Sequence, residues 1–371
     1  MPCGSHPQAA RVIVAMSGGV DSSAAAALLV RQGFEVIGIT MRLWTPELAC
    51  DPAEAEERYG GCCGLTAVED ARKVCGRLGV PHYVLNLKEE FRRLVVEPFI
   101  EEYRRGRTPN PCIACNEHIK FHALLDRAEA LGAQLIATGH HARVVHSPRE
   151  PARLLCGRDK RKDQAYFLYR FTQDQLRRVL MPVGEMTKAD ARAIVGDLVP
   201  RMYDKPESQD VCFVPDGDYR RFIREHGGPS APGEIVHVDG RVLGRHDGVE
   251  QFTLGQRKGL GLSVGRPLFV VDIDPAAARV IVGEPAHLVR RFVRVGNLSW
   301  ISGHPPEGEG PYRVKLRYNS IGGDAILDAG EPGSTVLRFG SPQRAPAPGQ
   351  AAVVYDGDEV LGGGTIEGAW A

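Results

Sequence analysis

The apolar and polar residues of the first part of the chain alternate between two periods. Short β-branched runs predict strands at "RVIVAM", "EVIGITMRLW", "HYVLNL" and "AQLIATGH". Between them, "DSSAAAALLVRQG", "TAVEDARKVCGRLG" and the stretch from Lys88 to Arg105 have helical spacing. Because strands separated by helices form parallel sheets with both faces covered, we predict an α/β domain.

The pattern changes after about residue 215, where glycine and proline become frequent. Short β-rich runs such as "GEIVHVDGRVLG" and "PLFVVDID" follow, and "YRVKLRY", "STVLRFG" and "AAVVYDGDEVLGGGTI" come after Phe292. We therefore predict two small β-rich units after the α/β domain. The predicted organisation is a flexible tail at 1–10, a catalytic domain at 11–215, a β-rich central domain at 216–288 and a C-terminal β-barrel-like domain at 289–371.

Composition changes this picture little. The chain has 371 residues, which is too long for one ordinary core and agrees with several domains. Lysine and arginine together number 46, as do aspartate and glutamate, so total charge neither requires nor excludes a nucleic-acid partner. Basic clusters occur at 158–162 and 290–294, and each taken alone is more simply a solvated charged face.

The nine cysteines are scattered along the chain. The first residues, "MPCGSHPQAA", lack the apolar core of a signal peptide, and no apolar run approaches the length of a membrane span. We therefore expect a soluble cytoplasmic protein, with no membrane partner, whose thiols are mostly reduced and buried.

The stretch "AMSGGVDSSA" follows the first predicted strand and opens the first predicted helix. Ligands of open parallel sheets bind at this end of a strand. Gly18 and Gly19 permit a sharp turn that aims backbone amides, and Ser17 and Ser22 add hydroxyl groups, so the loop predicts a phosphate site. Asp21 suits a magnesium ion that joins the phosphates. The lysine of GxxxxGKS loops is missing, which argues against a kinase or GTPase.

A second candidate site is the CxxC at the start of "NPCIACNEHIKFHALLDRAEALG". Asn110 suits a helix N-cap and Pro111 the first helical position, which places Cys112 and Cys115 where the helix dipole lowers a thiol pKa. The pair could hold a metal, form a disulfide or attack a substrate, and we favour chemistry. For Cys212, considered alone, a buried unreactive thiol is the simpler interpretation.

The other cysteines have no such context. We expect Cys62, Cys63, Cys75 and Cys156 to be packing or incidental residues, and Cys3 to belong to the tail.

The loop resembles the SGGxDS signature of the PP-loop ATP pyrophosphatases, which cleave ATP between its α and β phosphates. Ordered blocks along nearly the whole chain, including "GRTPNPCIACNEHIKF", "LIATGHHAR", "RDKRKDQAYFLY", "PVGEMTK", "DKPESQDVCFV" and "FTLGQRKGLG", resemble the tRNA-specific 2-thiouridylases. The resemblance implies a PP-loop catalytic domain and ATP-dependent 2-thiolation of the wobble uridine in tRNAs that read Lys, Glu and Gln codons. It also implies ATP, magnesium and tRNA as ligands.

The resemblance also implies roles for individual residues. Cys115 would be the nucleophile, and Cys212 would carry the incoming persulfide. Asn110, Pro111 and Cys112 would meet the target base. The implied ATP-binding residues are Ala15, Met16, Ser17, Gly18, Gly19, Val20, Asp21, Ser22, Met41 and Gly139. The implied tRNA-binding residues further along the chain are His140, Lys162, Asp163, Gln164, Arg317, Tyr318 and Gln350.

Cys112 departs from the better-known family pattern, which has an acid there. Three thiols, Cys112, Cys115 and Cys212, could bind three irons of a four-iron four-sulfur cluster whose fourth iron accepts sulfide. A persulfide relay through Cys115 and Cys212 is the alternative, and these two could also form a disulfide. The sulfur source would be a cysteine desulfurase, a sulfur-relay protein or inorganic sulfide.

Two other functions remain open at this point. A PP-loop synthetase that amidates a small molecule would explain the loop but neither the CxxC nor the β-rich units. A non-catalytic RNA-binding relative would explain the β-rich units but not the intact loop and thiols.

Overall fold

A computed structural model of the chain describes residues 10–44, 65–205, 211–214, 216–308 and 310–371. Residues 1–9 of the predicted tail 1–10 lie outside these residues, as do Cys3, Cys62 and Cys63. The strands are, in chain order, β1 (Arg11–Ala15), β2 (Glu35–Arg42), β3 (His82–Asn86), β4 (Leu135–Ala137), β5 (Ala142–Val145), β6 (Arg153–Cys156), β7 (Val179–Leu180), β8 (Gly233–His237), β9 (Val242–His246), β10 (Phe269–Asp274), β11 (Arg279–Gly283), β12 (Val289–Trp300), β13 (Tyr312–Lys315), β14 (Gly323–Ala329), β15 (Thr335–Arg344), β16 (Ala351–Asp356) and β17 (Glu359–Trp370).

Helices connect these strands and cover the first sheet. Helix Lys188–Leu198 packs against helix Val20–Arg31, whose alanine-rich sequence buries most of its surface. The α-helices are Val20–Arg31, Leu65–Leu78, Lys88–Phe91, Glu97–Arg104, Pro111–Ala114, Leu124–Ala130, Gln173–Leu176, Lys188–Leu198 and Tyr219–Gly227; Arg92–Val96 and Cys115–Ala123 are π-helical, and Ala165–Leu168, Pro182–Glu185, Pro200–Met202, Val249–Gln251 and Pro285–Leu288 are 3₁₀-helical.

The first sheet has the strand order β3-β2-β1-β4-β7, and every neighbouring pair in it is parallel. This confirms the predicted parallel sheet and its four predicted strands, whereas β7 was not predicted. Val14 pairs with Ala137, and Ala15 pairs with Ile39. Because β1, β2 and β4 end at one edge, the loops that follow them lie side by side there.

The second sheet has the order β10-β11-β8-β9. Its strands are antiparallel except for the parallel pair β8 and β11. Ile235, Val270, Val280 and Val282 point into its own core, so this β-rich unit is stabilised separately from the first sheet.

The third sheet closes into a barrel. Strands β12, β15, β14, β13, β16 and β17 follow one another, and β17 pairs back to β12, which confirms the barrel-like C-terminal fold. The hairpin β5-β6 extends this sheet, because Leu154 and Leu155 of β6 pair with Val360 and Glu359 of β17. A hairpin from the predicted catalytic domain therefore belongs to the barrel sheet, and the exact domain boundaries stay a prediction.

None of the helices in the described ranges is long and apolar enough to cross a lipid bilayer.

Candidate active site

The loop between β1 and the first helix is held in a strained turn. Gly18 has a φ of 68°, and a Cβ atom there would lie 2.2 Å from the backbone oxygen of Ala67, so glycine is required. The Ser22 hydroxyl accepts a hydrogen bond from the Ser17 backbone N–H at 3.2 Å, and the Ser23 hydroxyl donates to the Gly19 carbonyl at 2.8 Å. The loop has the build of a phosphate cradle at a helix N-terminus.

Asp21 is the acidic group of this loop, and two basic side chains contact it. Lys188 Nζ lies 2.7 Å from Asp21 Oδ1 and 2.6 Å from Oδ2, and Nε2 of the buried His141 lies 3.0 Å from Oδ1. Burial favours the neutral acid, but the hydrogen bonds from His141 and Lys188 outweigh it and lower the pKa of Asp21. The carboxylate is therefore ionised. A single carboxylate suits a magnesium ion that arrives with phosphate ligands.

Gly139 and Met41 border the loop from the neighbouring strands. A Cβ atom on Gly139 would lie 2.4 Å from the Ser22 backbone nitrogen and 2.5 Å from the Asp21 carbonyl carbon. The backbone after β4 thus touches the start of the first helix, and any side chain at 139 would push it away. Met41, at the end of β2, packs against both the core beneath β1 and the neighbouring aromatic cluster. Gly139 therefore contacts the helix that the loop opens, and Met41 lies near the carboxyl end of the neighbouring strand β2.

The CxxC segment begins a helix, as predicted. Asn110 is the N-cap and Pro111 the first helical residue, although the Asn110 side chain makes no capping hydrogen bond. Cys112 is exposed, whereas Cys115 is buried and lies where the α-helix becomes π-helical. π-Helical turns occur often at functional sites, and this change was not predicted from the sequence.

Cys212 meets the CxxC helix through a shared cluster of aromatic and aliphatic side chains. Phe213, which is 1% exposed, contacts Phe91 and Phe99 edge to face at 5.7 and 5.2 Å between ring centroids. Cys115 is a buried member of this cluster. The half-buried Cys212 packs against the cluster. The fold therefore brings two cysteines 97 residues apart (212 minus 115) to the same cluster.

The same side chains can be tested as ligands for an iron-sulfur cluster. Across the residues that the structure describes, no group of three or more His, Cys, Asp or Glu side chains is arranged to hold a metal ion. Cys112, Cys115 and Cys212 all belong to these residues. The described residues therefore give the iron-sulfur hypothesis no support, and it stays a prediction.

The remaining cysteines of the described residues are packing residues, as expected. Cys75 and Cys156 are 1% and 7% exposed. Burial raises the pKa of Cys75 to about 11, and burial together with the charge of Asp163 raises that of Cys156 to about 12.

Several implied tRNA contacts near the site have internal partners. His140 is buried with its Nδ1 2.8 Å from the Thr138 hydroxyl, and burial lowers its pKa well below the usual value, so the ring is neutral. The buried Asp163 accepts hydrogen bonds from the Gly157 and Ala165 backbone N–H groups at 2.8 and 3.2 Å. Both residues shape the site from beneath its surface. A direct contact of either with tRNA stays a prediction.

Gln164 and Lys162 lie on the same loop and are partly exposed. Gln164 Oε1 accepts a hydrogen bond from the His141 backbone N–H at 3.0 Å, and the His141 carbonyl accepts one from the Gln164 backbone N–H at 2.9 Å. The loop predicted to contact tRNA is thereby joined to the histidine that contacts Asp21.

The barrel contributes Arg317, Tyr318 and Gln350. Arg317 remains exposed and donates to the Ala345 carbonyl, and the half-buried Tyr318 packs 4.5 Å from Phe167 between ring centroids. Gln350 Nε2 donates to the Thr108 carbonyl at 2.9 Å. These residues lie where the barrel meets the catalytic domain, and Gln350 supports the segment just before the CxxC helix.

Sequence reasoning missed the basic partners of the loop. Lys188 and His141 contact Asp21, and Lys205 Nζ donates to the Gly18 carbonyl at 2.9 Å and to Asp70 at 2.6 Å. The three residues lie in "PVGEMTK", "LIATGHHAR" and "DKPESQDVCFV", which are among the blocks that resemble the family. Their position in these blocks is the sequence feature that could have pointed to them, but the resemblance assigned them no function.

Three domain-family profiles match the chain. Their descriptions are "tRNA methyl transferase HUP domain" over residues 10–216, "tRNA methyl transferase PRC-barrel domain" over 220–284 and "Aminomethyltransferase beta-barrel domain" over 290–366.

Full-length relatives are also found. The chain is 49% identical over 361 residues to a tRNA-specific 2-thiouridylase MnmA of Carboxydothermus hydrogenoformans, covering 96% of this chain and 97% of the relative. It is 48% identical over 373 residues to a tRNA-specific 2-thiouridylase MnmA of Symbiobacterium thermophilum, covering 99% and 94%.

Among solved structures, a 4-thiouridine synthetase in complex with RNA and ATP is 16% identical, covers 58% of this chain and 50% of that one, and has a TM-score of 0.34. NMN synthetase from Francisella tularensis is 15% identical, covers 57% and 71%, and has a TM-score of 0.32. Likenesses this low establish no shared fold.

Proposed function

Because the chain belongs to the tRNA-specific 2-thiouridylase family, it is a sulfurtransferase that thiolates tRNA using ATP, and we propose that its target is the wobble uridine of tRNAs that read Lys, Glu and Gln codons. One observation supports the proposed chemistry most strongly. Cys115 belongs to one cluster against which Cys212 packs, and Met41, which also packs against that cluster, lies near the end of β2 at the sheet edge that carries the phosphate loop. Two cysteines at a cluster that extends to this edge suit sulfur transfer to an adenylated base.

The first proposed step activates the uracil. A uracil carbonyl is a poor electrophile, so its O2 attacks the α-phosphorus of ATP and pyrophosphate leaves, which makes AMP a leaving group on C2. The loop amides and the helix N-terminus between Ser17 and Ser22 stabilise the negative charge of the departing pyrophosphate. Asp21 would hold the magnesium ion, which supplies further charge neutralisation when bound.

The second proposed step transfers sulfur. A persulfide on Cys212 attacks C2 through its terminal sulfur, and AMP leaves. The Cys115 thiolate then attacks the Cys212 sulfur, which breaks the bond to the transferred sulfur. The products are a disulfide between Cys115 and Cys212 and a C2 thiocarbonyl, so atoms and electrons balance. An external dithiol reductant must reduce the disulfide before the next turnover.

We propose that the persulfide comes from a cysteine desulfurase or a sulfur-relay protein, and that the reaction takes place in the cytoplasm. Inorganic sulfide would be the sulfur source only in the iron-sulfur alternative, because sulfide forms a persulfide only when an oxidant removes two electrons. The wobble base must leave the anticodon stack to reach the loop. Asn110 and Pro111, at the start of the CxxC helix, are proposed to meet that base. Arg317 and Tyr318 on the barrel are proposed to hold the tRNA.

The iron-sulfur alternative receives no step in this scheme. It needs Cys112, Cys115 and Cys212 as joint ligands, and within the described residues these side chains form no such group. In the proposed relay Cys112 lies near the base and does not carry the transferred sulfur.

The profile descriptions name methyl and aminomethyl transfer, whereas the relatives that match the whole chain are named thiouridylases. We follow the relatives, because methyl transfer makes no use of a pyrophosphate-binding loop.

The proposal is tested by incubating the protein with ATP, magnesium, a persulfide source and unmodified tRNA. We expect AMP, pyrophosphate and 2-thiouridine in equal amounts, measured by nucleoside mass spectrometry. Release of ADP and phosphate, or a methylated uridine, would contradict it.

A further inference from the structure

The phosphate loop contains no lysine, although pyrophosphate carries several negative charges. Two lysines from distant parts of the chain reach it. The Lys205 ammonium donates hydrogen bonds to the Gly18 carbonyl of the loop and to Asp70. It therefore holds the loop backbone in place. Lys188 instead reaches the acidic side chain of the loop, Asp21.

Lys188 is firmly placed for this contact. It is the first residue of helix Lys188–Leu198, whose start is fixed by a reciprocal capping box between Thr187 and Asp190. Its backbone N–H donates to Asp159 at 3.2 Å, and its side chain is 13% exposed. The helix packs on the one that the phosphate loop opens, so Lys188 enters the site from a rigid element.

The Lys188 ammonium and a magnesium ion would compete for the same carboxylate, that of Asp21. Lys188 Nζ is within 2.7 Å of both carboxylate oxygens of Asp21, and His141 also contacts Oδ1. A magnesium ion bound to Asp21 would compete with the ammonium for these two oxygens. The four-carbon stem of lysine is flexible, so a displaced ammonium can turn towards phosphate oxygens a few ångströms away.

We propose that Lys188 is a catalytic residue that binds the pyrophosphate portion of ATP, replacing the lysine that the loop lacks. In the structure its ammonium contacts Asp21, the carboxylate that would hold magnesium. With Asp21 holding magnesium, the Lys188 ammonium would bind the β and γ phosphates of ATP and stabilise the leaving pyrophosphate. The inference deepens the proposed function and rests on it only for the identity of the leaving group.

The simpler view is that Lys188 only neutralises Asp21, as a structural ion pair does. The two views differ once Asp21 is uncharged. In an Asp21→Asn protein a purely structural lysine has nothing left to neutralise. A phosphate-binding lysine, in contrast, is released to bind phosphate.

The test is calorimetric titration of inorganic pyrophosphate into Asp21→Asn and into Asp21→Asn combined with Lys188→Met, both in EDTA. We expect the second protein to bind pyrophosphate about 10-fold to 100-fold more weakly, the range of a charge-assisted hydrogen bond. Lys188→Gln in the same background is the second variant and should lose affinity in the same range. In the double variants both Asp21 and Lys188 are replaced by neutral residues, so neither leaves an unpaired charge behind. Thermal unfolding verifies that all variants fold.

Lys160→Met in the Asp21→Asn background is the matched control. Lys160 is 56% exposed and its ammonium pairs with Asp358 at 2.6 Å rather than with Asp21, so pyrophosphate affinity should not change. Equal affinity with and without Lys188, or no binding to Asp21→Asn at all, would overturn the proposal. The titration needs neither tRNA nor sulfur. A failure here with intact thiolation by the parent would refute Lys188 alone, and absent thiolation would refute the proposed function alone.

Discussion

Lys205 donates a hydrogen bond from Nζ to the Gly18 carbonyl at 2.9 Å, and it precedes Cys212 by only seven residues (212 minus 205). The same ammonium contacts the buried Asp70 at 2.6 Å, which Arg201 also contacts. One lysine thus joins the phosphate loop, the helix beside it and the start of the segment that carries a thiol.

Replacing Lys205 should loosen the loop. Lys205→Met removes the donor to Gly18 and leaves Asp70 with one cationic partner, so we expect a loss of about 1–3 kcal/mol in the free energy of unfolding and weaker ATP binding. Thermal unfolding and ATP titration measure the two effects. Lys160→Met, an exposed lysine in an ion pair elsewhere, is the control. Unchanged ATP affinity in Lys205→Met would show that this anchor does not shape the loop.

The backbone of Gly139 lies close to the start of the helix that the phosphate loop opens. Gly139→Ala would put Cβ 2.4 Å from the Ser22 nitrogen, and backbone on both sides cannot yield, so ATP affinity should fall at least 10-fold. The control is Gly76→Ala on an exposed helix position with no atom within 4 Å, which should be neutral or stabilise by about 0.5–1 kcal/mol. Equal ATP affinity in the two variants would refute the close approach.

Gln350 distinguishes two roles at the barrel interface. If it supports Thr108 and Pro109 before the CxxC helix, Gln350→Ala should lower the rate of thiolation several-fold while tRNA affinity stays within about 2-fold. If it binds tRNA directly, affinity should fall and the rate at saturating tRNA should persist. Kinetics at varied tRNA concentration separate the outcomes, and the geometry predicts the first.

Much of this could be predicted from local sequence. The strands, the loop and the start of the CxxC helix were predicted because periodicity, glycine placement and Asn-Pro act over a few residues. The contacts of Asp21 with His141 and Lys188 were not, because they join residues 120 and 167 positions apart. The hairpin in the barrel sheet was missed for the same reason.

The π-helical segment Cys115–Ala123 was missed because its spacing differs little from that of an α-helix over so few residues. The burial of Asp163 was also missed. A polar residue in a basic stretch resembles a surface group until its two backbone partners are known.

Thiol reactivity should follow burial. The thiolate is the reactive form, and a pKa raised to about 11 for Cys75 and about 12 for Cys156 keeps both protonated as pH rises from 7 to 9. Iodoacetamide at pH 8 should therefore modify the exposed Cys112 and spare Cys75 and Cys156 until the protein unfolds. Peptide mass spectrometry over time measures this. Early labelling of Cys75 would contradict the buried assignment.

The central claim is that Cys115 and Cys212 together pass sulfur to an adenylated uridine. The most direct test is single-turnover formation of 2-thiouridine, measured by nucleoside mass spectrometry, in the Cys112→Ser, Cys115→Ser and Cys212→Ser variants with a persulfide source, ATP and unmodified tRNA. We predict that Cys112→Ser keeps substantial activity, whereas Cys115→Ser and Cys212→Ser each form no 2-thiouridine. Thiolation near the parent rate by Cys115→Ser or Cys212→Ser, or its complete loss in Cys112→Ser, would contradict the account.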